Sequence, residues 1–230
     1  MGGIAMPCAT ADEMDLIRML DAGRYADPST LCSATCRQPL EWSDWETNTS
    51  KAMYEVLRHL ENVLRCAISA RLSAHYGQVD WWNATRLRLT YGTEKKIAEA
   101  EEKLSRISVP PTATAIQREM TLGFWVTLMG RGADYETQLW RPISAGFPGY
   151  RGRRGPLHTR LDHLRVLRNK VAHQDRIGGR DLAADRRSAL TAIGYVSESV
   201  ARRVDAADTS LPALLASRPQ TCAQRRGGGS

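Results

Sequence analysis

Apolar side chains recur along this chain at three- and four-residue steps, the period of a helix with one buried face, and no stretch shows the sustained alternation of a half-buried strand. The longest such pattern runs from about Ser50 to His75. Met53, Val56, Leu57, Leu60, Val63, Leu64, Ala67, Ile68 and Leu72 give it a broad apolar face, and Gly77 supplies a stop. Glu61 and Arg65, four residues apart, are spaced to pair along one side. Upstream, Asp12 to Leu20 reads as a short helix with Met14, Ile17 and Leu20 toward the body. Residues 27–44 read as a turn-rich connection or partly helical flap, in which Trp42 and Trp45 anchor the helix that follows.

Downstream, Trp81-Trp82 reads as a packed loop or short turn. A helix over Thr93–Ile107 buries Ile97, Ala98 and Leu104 and is stopped by Pro110-Pro111. The next pattern, Ala113 to Met129, is apolar nearly all round in its second half, as in a central core helix or one at a subunit interface. Tyr135–Trp140 reads as a helical turn, residues 144–155 as a glycine-rich loop, and Leu182–Val204 as a final long helix. Leu211–Leu215 adds a terminal turn, and the tail from Ser217 carries no structural pattern. The predicted fold class is all-α: a helical bundle with peripheral short helices and loops.

At 230 residues the chain has enough length for one domain with a substantial core. The expected division is an N-terminal helical segment and linker over 1–41, a main helical domain over 42–205, and a C-terminal turn and tail over 206–230. The formal charge of +7 permits an anionic partner such as nucleic acid without specifying one. Of the five cysteines, Cys66 falls in an apolar helical pattern and reads as a buried thiol. Cys32 and Cys36 are too far apart for a zinc knuckle, and no nearby histidine completes a tetrahedral set. No basic leader precedes an apolar core at the start, and no apolar run is long enough to cross a bilayer, so the cytoplasm is the expected location.

The most informative stretch is Pro156–Asp175. Leu157, Leu161, Leu164, Leu167 and Val171 form one buried helical stripe, and at about 100° per residue Arg168 falls inside it. A guanidinium cannot shed its charge, so that position needs a paired carboxylate or a wet cleft. His173 follows where the helical pattern stops, and the two side chains are expected to converge on one small region. As alternatives, Arg168 is a structural arginine bound to a core carboxylate or to helix-terminal carbonyls, and His173 closes a helix C-terminus, where the dipole favours a cation. The loop ahead of this helix carries Arg151, Arg153 and Arg154. It reads either as a holder of an RNA backbone or as a plain solubilising loop, and it lacks the ending of a phosphate-binding glycine loop.

The text LRVLRNKVAHQDRI resembles the signature of HEPN-domain proteins, especially the Abi-like branch associated with abortive phage infection: an arginine, a polar residue, three residues and a histidine, here Arg168, Asn169 and His173. HLENVLRCAI (59–68), Trp81-Trp82, GFWVTL (123–128), LWRP (139–142) and Phe147 fit the same family in the same order, over roughly residues 42–200. The chain departs from the family pattern at Asn62, Cys66 and Gln174-Asp175-Arg176. The resemblance implies a HEPN-like bundle and a metal-independent endoribonuclease toxin or effector, acting through 2′-hydroxyl attack at a site shared across a homodimer. Arg168, His173 and Asn169 would be catalytic, with Glu61, Arg65 and Asp175 in support. Arg151, Arg153, Arg154, Lys170 and Arg176 would contact RNA. No cofactor and no metal is expected; the implied partners are an RNA substrate, a second copy and a protein or RNA antitoxin, with no membrane. The alternative is a non-catalytic HEPN module that binds RNA or a cognate antitoxin.

Overall fold

The computed structural model describes residues 9–25, 31, 33, 36–132 and 134–220. Among these residues the chain is all-α, with no strand. Its spine is α2 (Gln38–Tyr76), 39 residues, or about 58 Å at 1.5 Å per residue. Gly77 ends it in the left-handed conformation, φ 74°. α1 (Ala11–Met19) precedes it, and α3 (Tyr91–Arg106), α4 (Ala113–Glu119), α5 (Leu122–Thr127) and α6 (Arg141–Ser144) follow. The second half is α7 (Arg154–Ala172), α8 (Leu182–Val196), α9 (Glu198–Ala207) and α10 (Ser210–Ala216). Single turns at 22–25 and 81–83, and a wide turn at 136–140 leading into α6, complete the described structure.

α5, α6, α7, α8 and α10 all pack against α2, and α5 also packs against α7. The core therefore forms around the central helix, with Trp81, Trp125, Tyr135 and Phe147 fully buried beside Met53, Leu57, Leu60, Leu64, Ile68 and Leu72. Burial of such side chains is the main force assembling helices that are individually too short to persist in water. Among the described residues, no helix is long and apolar enough to cross a membrane.

Several elements differ from their sequence expectation. α2 begins twelve residues earlier than its apolar pattern, so the expected boundary at 41/42 falls within it. Its first turns bury Ser43, Glu46 and Thr49 alongside Trp45, and polar residues on an inward face conceal a helical stripe from a hydropathy reading. The pattern over 113–129 divides into α4 and α5 because Met120 and Thr121 are extended, with ψ 127° and 168°. The final long helix divides at Ser197 (φ −155°, ψ 113°), whose hydroxyl accepts from the Val200 amide and starts α9. The expected boundary at 205/206 lies inside α9, and α10 packs Leu211 into the core. α1 is held by a reciprocal Thr10–Glu13 cap, yet it buries no residue, and Leu20 is exposed rather than turned inward. Cys66 is also exposed, since it lies on α2 away from Leu64 and Ile68; Cys36 is buried. Cys32, and the tail from residue 221, lie outside the described residues.

Candidate functional site

Along α7, Leu157, Leu161, Leu164, Leu167 and Val171 are buried as their spacing predicts. Arg168 sits among them with its side chain 20 % exposed, in the seam with α2 and the start of α5. Its Nε lies 3.6 Å from Glu61 Oε2, and the same oxygen accepts the Leu122 amide of α5 at 2.7 Å. Glu61 thus links three helices: it offers a negative charge to Arg168 and satisfies an amide that the short helix cannot satisfy itself. It does not serve Arg65, which donates to Asn62 Oδ1 at 2.7 Å. Arg168 Nε is buried without a hydrogen bond. Its terminal nitrogens have no described protein partner and are not sealed, so the guanidinium is held at its base and open at its tip.

His173 caps α7, its amide reaching the Asn169 and Val171 carbonyls. Gln174 then adopts a left-handed conformation (φ 57°), and the Asp175 amide returns to the Lys170 carbonyl at 2.8 Å. These bonds form a Schellman closure, a geometry usually given to glycine because other residues are strained there. The His173 side chain is exposed. Asn169, one turn earlier, lies on the same side of the helix as His173. Arg168 does not: five residues of helix separate it from His173 by about 140°. Arg168 reaches into the seam, while His173 is exposed to solvent. No hydrogen bond joins them among the described residues.

Arg151 and Arg153 are exposed at the other end of α7, about 30 Å along the axis from His173. Proximity in sequence to the key helix thus does not place them near its functional end. Arg154 is not a loop residue; it opens α7, donating to the carbonyls of Met129 (3.1 Å) and Gly130 and to Glu136 Oε2 (2.6 Å). Its guanidinium closes the end of α5, as basic groups do at helix C-termini. Lys170 is half-buried, and Asp175 and Arg176 are exposed beyond His173.

Sequence reasoning missed a cleft of about 480 Å³ between α2, the 22–25 turn and the end of α7, bordered by Tyr25, Glu46, Lys51, Tyr54, Val171 and Asp175. Glu46 is 3 % exposed, and its Oε1 accepts the amides of Ile177 and Gly178 (2.7 Å to the latter). It pins the turn after α7 to α2. Positions 46, 49, 53, 56 and 60 share one helical face, but the charge of Glu46 hides its place on it. Among the described residues, no cluster of three or more His, Cys, Asp or Glu is placed to hold a metal ion.

Comparison with protein-family models, curated proteins and solved structures found no match for this chain.

Proposed function

We propose that this chain is a HEPN-like, metal-independent endoribonuclease acting as the toxin or effector of an abortive-infection or toxin–antitoxin system. The observation supporting this reading is the tail of α7: a guanidinium fixed at its base beside Glu61 and open at its tip, followed by an exposed imidazole with Asn169 on its flank. RNA carries its own nucleophile, the 2′-hydroxyl beside the scissile phosphate, so a cleaving protein needs to orient it, move protons and stabilise charge. His173 would move the protons. Arg168 would grip non-bridging phosphate oxygens in the transition state. Asn169 would orient the imidazole or the phosphate. The reading includes a homodimer with two motif helices facing one cleft, each contributing an Arg168 and a His173.

The ion pair of Arg168 with Glu61 also fits a second reading, a non-catalytic module that binds RNA or an antitoxin. One experiment separates them. Wild type, Arg168→Ala and His173→Ala are incubated with cellular RNA in EDTA, with oligomeric state followed by light scattering. Cleavage by the wild type to 2′,3′-cyclic phosphate and 5′-hydroxyl ends, lost in both variants while they remain folded dimers, supports the enzyme. Equal cleavage by all three removes the Arg–His mechanism, and binding without cleavage leaves the module.

A further inference from the structure

We propose that the α2 wall of the cleft beside His173 is a nucleotide subsite, holding one phosphate and one stacked base of the RNA strand without reading which base it is; this rests on the RNA-cleaving reading above. Ala172 and Gln174, the neighbours of His173, both border the cleft, so a strand that reaches the imidazole can continue into it. On the opposite wall stand Thr47, Ser50, Lys51 and Tyr54. Their spacing, i, i+3, i+4 and i+7, puts them on one face of α2, about 10 Å from end to end. Each carries a donor: two hydroxyls, an ammonium and a phenol. None of the four has a hydrogen bond or ion pair to a described residue. A polar helix face is ordinarily solvated surface, but this one forms the wall of a cleft whose other side carries the end of α7.

The volume, about 480 Å³, suits a guest of nucleotide size. Lys51, exposed, is the cation for a phosphate, and the Thr47 and Ser50 hydroxyls are neutral donors to the same group. The ring of Tyr54 is substantially exposed and receives a base, and stacking on an aromatic face tolerates any base. Two carboxylates border the same space, and each has a partner of its own. Glu46 is turned to the loop after α7, where its Oε1 accepts from the Ile177 and Gly178 amides and its Oε2 lies against Gly178. Asp175 has Arg24 for a neighbour: the pKa of that guanidinium is raised, first by its bond to the Tyr25 hydroxyl and less by Asp21 and Asp175. Gln174 both donates and accepts, so the lining matches no single base edge.

The test is binding, measured without cleavage. The full chain is titrated calorimetrically with a hexanucleotide of 2′-O-methyluridine, which cannot attack its own phosphates, and with the four ribonucleoside monophosphates and their nucleosides. Lys51→Ala and Tyr54→Ala are each expected to weaken the hexanucleotide about tenfold, and Tyr54→Phe to leave it unchanged. Lys51→Ala also lowers the salt dependence of binding by about one phosphate contact. Arg187→Ala, which removes the same charge from an exposed position on α8, changes the affinity less than about twofold. The four monophosphates bind within about threefold of one another, and each binds tighter than its nucleoside only while Lys51 is present. Melting curves verify that the variants stay folded. Equal losses in Lys51→Ala and Arg187→Ala overturn the subsite, since they report the charge of the whole surface. A wild type that binds nothing, or that binds one monophosphate far more tightly than the rest, also overturns it. The expected binding by a chain that cleaves nothing keeps the subsite and removes the catalytic reading. Cleavage by a chain whose affinity ignores Lys51 and Tyr54 does the opposite.

Discussion

Arg186 and Arg168 lie at similar depth, with side chains 14 % and 20 % exposed, but the protein completes one and leaves the other open. Arg186, on α8, places Nε 2.7 Å from Asp208 and Nη2 2.8 Å from Asp205. Burial works against its charge, but the bonds to the two aspartates outweigh that effect and raise its pKa above the ordinary arginine value. Arg168 has one carboxylate, at 3.6 Å, and an Nε without a hydrogen bond. A buried unsatisfied donor costs about 1–3 kcal/mol, so the seam gives up stability around Arg168 that the α8–α9 corner retains. An arginine whose bonds are all made inside the protein holds helices together. One whose tip is left free has bonds to give to something else.

The largest effect that can break this contrast is on cleavage. Arg168→Ala is expected to lower RNA cleavage by roughly 100-fold or more, the cost of removing one donor to a developing oxyanion, while costing less stability than Arg186→Ala, because Arg168 has one carboxylate at 3.6 Å and no hydrogen bond at Nε. Arg186→Ala should do the reverse. Removing this part-buried cation strands Asp208, 10 % exposed, and costs about 3 kcal/mol, which for a chain of this size is a drop in Tm of roughly 6–12 °C. The cleavage rate per folded molecule should not change. Thermal melts and single-turnover cleavage on both variants decide it: comparable destabilisation, or comparable loss of activity, would put the two arginines in one class.

The raised pKa of Arg186 sharpens the same comparison. A cation whose folded pKa lies above its unfolded value contributes its full stabilisation at every pH below the unfolded value, and loses it only as pH rises through the folded one. The Tm difference between wild type and Arg186→Ala should therefore be flat between roughly pH 6 and 9. A difference that changes across that interval would show that another titrating group sets the strength of the corner.

The contrast also shows what the sequence could carry. The apolar periods of α2 and α7, and of α3 apart from the exposed Ala98, are set by repeating contacts with one core, so they can be read from spacing, and with them the all-α class and the place of Arg168 in the α7 stripe. Breaks inside apolar runs were not readable. Met120-Thr121 and Ser197 interrupt patterns that stay apolar on both sides, and the interruption is decided by neighbours distant in sequence, such as Glu61 receiving the Leu122 amide. Buried polar residues were hidden for the same reason: Glu46 looks like any surface glutamate until Ile177 and Gly178 arrive to donate to it. At the site, spacing identified which residues share the end of α7 but not where they point. It could not distinguish Arg154, spent on closing α5, from the exposed Arg151 and Arg153.

The smallest expected effect lies at the helix ends. α2 and α7 both terminate with a left-handed residue, but α2 uses Gly77 (φ 74°) and α7 uses Gln174 (φ 57°). A side chain in that conformation costs about 1 kcal/mol that glycine does not incur. Gln174→Gly should therefore stabilise the protein by roughly 0.5–1 kcal/mol, partly offset by the greater freedom of glycine in the unfolded chain. A rise in Tm of about 1–4 °C is the expected reading. If the strained residue serves only to close the helix, RNA cleavage will be unchanged in the more stable variant. If the Gln174 side chain contributes to the site beside His173, the variant will melt higher and cleave RNA more slowly. That combination would place the end of α7 beside Arg168, as a second point where the chain gives up stability for contact with a ligand. A variant that melts lower would show instead that the Gln174 side chain makes stabilising contacts of its own, and the strain at this turn would then be repaid within the fold.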